Sequence, residues 1–587
     1  MIWIPIVLSL ALYFIPAALF RRKSYGLSRE YLVSFNGASD DVYQNSSLAY
    51  ALQLATFGPF FVWGLNGDWI PGVWNSMFYC FGLALLYVFR KPIANFLREA
   101  LARDKSITIH EFLARPHKDS PWIRIIASSL TIVALWGIVM AEMFGIFSAL
   151  GPLLGLGANG SYLFVIGLFF LMFAYSTTGG NDGVMRTDQL QLGLAYIGVF
   201  AAVAGMIFLL GHASPADVSH GSYPIVFFGG FGVMWLLTRR FRFIESSPDA
   251  ETVNKNEAEK TSAWRAYLLI ERGVSVLVVL TIITMVFAAG QFVISTGPSE
   301  VMQVLRRSTV TSTSMSNLAM FALAILPLGY QIVDITNWQR FAAAGDPNSY
   351  GDGPAKKALL RYVTEAPLVW ISLLAFGALA GGLFGNLSVS SNPFGDLAVH
   401  LVNMDSLLST VTAVVFLMAV LAIGLSTMDA VFSATQCAFQ YDLLPALEHA
   451  GAKETSTTHK IRITRAFGLM TYLAVIAMLY LVEKYLTFGR DNYLAILLAF
   501  YSAQMAFVPL VIGAFVATRL PNGQSPVTPV FAASALIVGA LVGIGATVSA
   551  VIGDTGELFL WGAIPVCLFV SSAIYSLGWY IGSKTKA

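Results

Sequence analysis

Apolar runs almost free of charge recur along the chain from Ile2 to Ile581, separated by short polar segments. Coiled as α-helices that rise about 1.5 Å per residue, runs of roughly 20 residues cross a hydrocarbon core ~30 Å thick. The pattern predicts about fifteen spans of bilayer length, at 2–20, 47–65, 69–89, 122–150, 161–175, 188–210, 224–237, 266–294, 318–338, 362–384, 407–432, 466–482, 493–517, 530–551 and 558–581. They are continuously apolar, whereas the strands of a membrane barrel alternate and last only about 9–11 residues. The expected fold is all-α, a polytopic membrane protein.

Two spans carry helix breakers near their middle, Gly58-Pro59 in 47–65 and Pro327-Leu328-Gly329 in 318–338. Proline removes a backbone donor and crowds the preceding turn, and glycine permits local unwinding. Backbone groups freed at membrane depth are tolerated only inside protein or beside a polar cavity. Interrupted helices in corresponding positions of two halves point to the central site of a secondary transporter, and the same residues also serve as simple kinks.

Composition agrees. Hydrophobic residues make up 56% of the 587 and charged residues 12%, too little charge to cover a soluble protein of this size, so lipid covers much of the surface. The basic cluster Arg21, Arg22 and Lys23 follows the first run, the reverse of a secretory signal peptide, so that run is read as a retained helix with the N-terminus outside. Loops then alternate sides. Most of the 35 Lys and Arg fall in cytoplasmic loops, with Arg306, Arg307, Lys484 and Arg490 as exceptions, and the C-terminus is cytoplasmic. Cys80, Cys437 and Cys567 lie in or beside separate spans without paired spacing, which supports neither a disulfide framework nor a metal site. The net charge of +2 is spread over short loops, so nucleic-acid binding has no support. Gly-x-Ser-x-Gly, His-Glu-x-x-His and phosphate-loop patterns are absent, and the expectation is that the chain is not an enzyme.

The most informative stretch is Thr178-Gly179-Gly180-Asn181-Asp182-Gly183-Val184-Met185-Arg186-Thr187-Asp188-Gln189-Leu190-Gln191, between two spans. It resembles the Gly-Gly, Val, Thr-Asp and Gln pattern of the solute:sodium symporter family. Three further stretches agree in order: Pro327 to Arg340, with Tyr330 and the terminal Trp338-Gln339-Arg340; Gly424-Leu425-Ser426-Thr427-Met428-Asp429-Ala430, followed by Tyr441-Asp442; and Ser106-Ile107-Thr108-Ile109-His110-Glu111-Phe112-Leu113.

The resemblance implies a ten-helix core of two inverted five-helix repeats, as in the leucine-transporter fold, in a bacterial inner membrane. It divides the chain into a leading helix and basic loop (1–30), five core helices (46–211), an additional helix pair with a polar loop (212–314), core helices six to ten (315–518) and two C-terminal helices (519–587). It also implies sodium as coupling ion, with no other cofactor, on the carbonyls of Leu54, Phe57 and Ile423 and the hydroxyls of Ser426 and Thr427. The physics suits that reading, because sodium is a hard cation that takes oxygen ligands. Against it stands plain back-bonding of the two hydroxyls to carbonyls one turn earlier. A second cation position falls on Asp188, Asp429 and Ser426, with helix capping as the alternative for Asp188.

For a small organic solute, the resemblance places Thr56, Gly58 and Phe61, Tyr330 and Tyr501 around a cavity between the two breaks. Each aromatic there has ordinary helix packing as its other reading. Glu142, beside Trp136, is the carboxylate placed deepest without an obvious charged neighbour, and an intramembrane acid is a functional candidate that suits a cationic or amine-bearing solute. Asp334 falls on the exit side of its helix, in a solvated or hydrogen-bonded role. No lone Arg or Lys marks the middle of a core span. The expected function is a sodium-coupled symporter importing a small organic solute by alternating access. Proton coupling in the same fold and a membrane sensor without transport stand as alternatives. The oligomeric state is left open.

Overall fold

The computed structural model describes residues 31–33, 40–102, 106–155, 158–211, 260–296, 315–343, 354–385, 392–445, 456–486, 490–552 and 557–586, with residues 7 and 387. Every regular element among the described residues is a helix. In chain order α1 is Asp40–Ala51, α2 Leu54–Leu65, α3 Trp69–Val88, α4 Arg90–Ala102, α5 Ile109–Ala114, α6 Pro121–Leu150, α7 Ala158–Gly211, α8 Lys260–Thr296 and α9 Asn317–Val333. Then follow α10 Ile335–Ala343, α11 Pro354–Leu383, α12 Pro393–Asn403, α13 Leu407–Ala438, α14 Thr457–Leu486, α15 Arg490–Met505, α16 Val508–Ala517, α17 Pro529–Ile552 and α18 Glu557–Lys586.

Among the described residues ten helices are long and apolar enough to cross a membrane, or up to twelve when each of two bent pairs is one span. Their outward faces are apolar: Val276, Leu280 and Phe287 of α8 and Phe569 of α18 are exposed. A surface of that kind belongs in lipid. The predicted spans 2–20 and 224–237 lie outside the described residues, save residue 7, and the other predicted spans coincide with described helices.

Inside α7, the apolar stretch Leu163–Leu210 runs 48 residues, more than twice what a ~30 Å core needs. Its backbone breaks at Gly180, with φ 59° and ψ −162°. That left-handed φ favours glycine, which the Gly179-Gly180 pair supplies. The hydropathy pattern predicts two spans, 161–175 and 188–210, on either side of a polar junction. The structure shortens the junction to one residue, because the polar side chains find partners within the helix. Thr178 Oγ1 donates to the Ala174 carbonyl (2.5 Å), Thr187 Oγ1 to the Gly183 carbonyl (2.8 Å), and Arg186 lies 3.6 Å from Asp182 one turn away.

The bent pairs are α1 with α2, at 53°, and α9 with α10, at 43°. They correct the predicted break points. Pro59 lies inside α2 and Pro327 inside α9. The chain leaves the helix at Leu52-Gln53 in the first pair and at Asp334 in the second. Hydrogen bonding decides this. A proline removes one donor, whereas a new helix start exposes several, and these need acceptors. At the first bend the Glu142 carboxylate, reaching over from α6, accepts the Leu54 N–H at 3.0 Å. At the second, Asp334 accepts from its own downstream neighbour, Thr336, through the N–H (2.9 Å) and the hydroxyl (2.5 Å).

Candidate ion and solute site

Gln53 is the residue at the first bend, in extended backbone with φ −66° and ψ 144°. Its carbonyl starts α2 by accepting from the Thr56 N–H (2.9 Å) and the Phe57 N–H (2.8 Å). Its side-chain Oε1 accepts from the Tyr501 hydroxyl at 2.6 Å. The Tyr330 ring stands edge-on to Tyr501, with centroids 5.0 Å apart, and the Tyr330 hydroxyl shares a 2.9 Å hydrogen bond with that of Tyr50. Side chains from α1, α9 and α15, with Gln53 between α1 and α2, thus form one aromatic and amide layer. Above it, toward the far end of α2, lies a cavity of about 70 Å³, room for several waters or part of a small solute. Gln53, Thr56, Tyr330 and Tyr501 line it, together with both prolines, Pro59 and Pro327.

The predicted solute residues divide accordingly. Thr56, Tyr330 and Tyr501 face the cavity. Phe61 points elsewhere, stacked on Phe394 at 4.9 Å and tilted against Phe376 at 5.7 Å. Gly58, Trp136 and Glu142 are also absent from the cavity wall. Glu142 is fully buried and serves the start of α2. A carboxylate there complements both the free N–H and the positive end of the helix dipole. Gln53, Asn75 and Tyr79 also line the cavity and were missed by sequence reasoning. Gln53 alone carried a signal, as the polar residue one position before Leu54.

Below the layer the three strongest motifs converge on Asp188. Its Oδ1 accepts from Ser426 at 2.6 Å, and its Oδ2 accepts from Ser46 at 2.5 Å and from Arg340 at 3.2 Å. Arg340 also donates through Nε to Ser46 (2.9 Å) and lies over the Tyr50 ring at 4.6 Å. The alternative reading of Asp188 is set aside here. Asp188 is no helix cap, because α7 is continuous through it and its oxygens are spent on other helices. Arg340, in the last turn of α10 and beyond the predicted span 318–338, is 4% exposed and forms an ion pair with Asp188. On the same face Asp429 Oδ2 accepts from Tyr175 at 2.8 Å, while its Oδ1 is buried without a side-chain hydrogen-bond partner among the described residues.

Of the predicted sodium ligands, Leu54 follows the first bend directly. Leu54 packs toward Gly424, so closely that a methyl group built on that glycine would lie 2.8 Å from Leu54 Cδ1. Ile423, Ser426 and Thr427 are buried on either side of that contact in α13. Thr427 Oγ1 donates to the Ile423 carbonyl at 3.1 Å, the back-bonding read as the alternative. Ser426 spends its hydrogen on Asp188 instead, and both hydroxyl oxygens keep lone pairs for a hard cation.

The remaining motifs meet away from the cavity. Asp442, in the π-helical turn Phe439–Leu443, accepts from Thr108 Oγ1 (2.9 Å), and one of its oxygens lies 2.7 Å from His110 Nδ1. Arg124 spans from the Tyr441 carbonyl (2.6 Å) to Glu111 (3.1 Å). In the same loop, burial holds the His117 imidazole below its ordinary pKa, against the raising effect of its hydrogen bond to the Leu113 carbonyl.

No protein-family model matches the chain, and no curated protein matches it in sequence. Among solved structures it is similar to a Na+-coupled sialic acid symporter in a substrate-bound, outward-open state, with a TM-score of 0.64, 14% identity and 98% of each chain covered. A manganese transporter of Eremococcus coleocola gives a TM-score of 0.39 at 12% identity, over 92% of this chain and 95% of that one. At this identity the first likeness fixes the fold. The chain is a multi-pass helical membrane protein with the architecture of that symporter.

Proposed function

We propose that the chain is a sodium-coupled symporter of the solute:sodium symporter type, which imports a small organic solute by alternating access. The observation that carries this reading is the meeting of two bent helix pairs around one cavity, with α13 packed on the first bend at Gly424, just before the Ser426-Thr427 pair. Bent helices place backbone groups and helix ends at the centre of a bundle, where ions and solutes are held. Sodium is bound by the carbonyls of Leu54, Phe57 and Ile423 and the hydroxyls of Ser426 and Thr427. Five neutral oxygens of this kind bind a hard cation without trapping it.

Sodium at that position bridges α2 to α13 and so favours the conformer that holds the two together. A ligand shifts a conformational equilibrium only through such differential contacts. Solute binding between Gln53 and Tyr330 draws on the same conformer, and the two affinities are coupled reciprocally. A second sodium at Asp188, Asp429 and Ser426 competes with the resident charge of Arg340. In this reading 46–211 and 315–518 form two inverted repeats, 212–314 is an added hairpin, 1–30 and 519–587 flank the core, and the chain lies in a bacterial inner membrane with its C-terminus in the cytoplasm.

Equilibrium binding of radioactive sodium to the purified protein tests the ion site. The double variant Ser426→Ala, Thr427→Ala is expected to lose saturable binding and keep its thermal midpoint within a few degrees. Unchanged sodium affinity in that variant contradicts the assignment.

A further inference from the structure

We propose that the cavity is built for an uncharged polar solute that presents an oxygen acceptor, a carbonyl or a hydroxyl, to the side-chain amide of Gln53; this rests on the transporter reading above. Gln53 is held at both ends. Its carbonyl is fixed by the first turn of α2, and its Oε1 is fixed by the Tyr501 hydroxyl at 2.6 Å. The residue is 3% exposed, lines the cavity, and its Nε2 has no hydrogen-bond partner among the described residues. A buried donor left unmatched is costly, and a site with an unmatched donor discriminates strongly for a ligand that supplies the acceptor.

The charge around the cavity narrows the class further. Among the described residues that line it there is no acid and no base. The start of α2 is where backbone donors and the helix dipole could hold a solute carboxylate. Glu142 already occupies that place through its bond to the Leu54 N–H. An anionic solute therefore meets no cation on the wall and faces a carboxylate at the helix start. A cationic solute meets no carboxylate on the wall, and burying an unpaired charge costs far more than burying a neutral polar group. Phe60, Trp63 and Trp561 add aromatic faces, which suit the apolar flanks of a small ring or planar amide. Carboxylates, ammonium ions and zwitterionic amino acids are excluded, and small amides, nucleobases, sugars and polyols are the class that fits.

The test is ligand-induced thermal stabilisation of the purified full chain in sodium chloride. The neutral probes are acetamide, uracil, glucose and myo-inositol, and the charged probes are N-acetylneuraminate, lactate, proline and choline. At least one neutral probe is expected to stabilise saturably, and no charged probe does. Gln53→Leu is expected to weaken the effective probe at least tenfold, with the midpoint of the unliganded variant as folding control. Tyr501→Phe leaves the amide in place without its anchor and is expected to weaken the probe several-fold, which keeps the idea testable if Gln53→Leu does not fold. Saturable stabilisation by a charged probe, by no neutral probe, or equally in Gln53→Leu overturns the proposal. Neutral binding that is identical in sodium and potassium chloride supports the solute class and counts against the sodium-coupled reading.

Discussion

Asp188 and Arg340 lie 152 positions apart in sequence and 3.2 Å apart in space, with side chains 0% and 5% exposed. Removing one member of a buried pair strands the other charge, at a cost of about 3–5 kcal/mol. Arg340→Ala is therefore expected to lower the thermal midpoint sharply, and Arg340→Ala with Asp188→Asn to recover part of the loss. A double-mutant cycle with no coupling would show that the pair contributes nothing. Glu142 acts differently. Its carboxylate accepts the Leu54 N–H, and a glutamine keeps an acceptor oxygen there, so Glu142→Gln is expected to fold nearly as well as the native chain. Glu142→Leu leaves that N–H unmatched and is expected to lose about 1–3 kcal/mol, read from the same melting curves. Equal stability of the two variants would mean that the bend does not depend on this carboxylate.

Among the elements, α2 and α11 pack with almost no side chain between them. A methyl group built on Gly64 would lie 1.8 Å from the Leu374 carbonyl oxygen, and one on Gly377 would lie 2.0 Å from that of Phe61. Small residues permit this approach in membranes, where packing replaces the hydrophobic drive. Gly377→Val is expected to push the helices apart and to destabilise by at least about 1 kcal/mol, seen as a lower midpoint in detergent. An unchanged midpoint would show that the contact is not held so tightly. The spans themselves were legible in the sequence because an apolar run of bilayer length has few other folds. The bends were not, because their positions depend on acceptors. Glu142 comes from another helix, and nothing in the local pattern of 47–65 announces it. The second bend carried a readable sign in Asp334-Ile335-Thr336, an aspartate two residues ahead of a donor it can cap. Phe61 was assigned to the cavity from its place in a family pattern, and the rotation of α2 sends it to Phe394 instead. The convergence of Asp188, Arg340 and Ser426 was half legible: each motif stood out alone, and only the fold brings them together.

At the scale of the molecule, the loop after α5 is clasped to the last helix. His117 Nδ1 bonds the Leu113 carbonyl (2.7 Å), its Nε2 lies 3.2 Å from the Tyr575 hydroxyl, and the Ser525 N–H donates to the Pro116 carbonyl (2.8 Å). Burial keeps this imidazole neutral and lowers its pKa in the folded state. The unfolded chain then binds the proton more readily, so this contribution is intact above the unfolded value of about 6.5 and is lost as pH falls through the lower folded value. Thermal midpoints are expected to drop between pH 7 and pH 5, and His117→Gln to remove part of the slope. An identical pH slope in the variant would assign the titration to other groups.

The central claim, that a sodium gradient drives a solute through the cavity between the two bends, is tested most directly by uptake into proteoliposomes. The purified protein is given labelled neutral solutes under an inward sodium gradient, a proton gradient or neither. Accumulation of one solute with sodium alone is expected, abolished by Ser426→Ala with Thr427→Ala and weakened by Tyr330→Ala. Accumulation driven by protons alone, or uptake indifferent to both gradients, would contradict it.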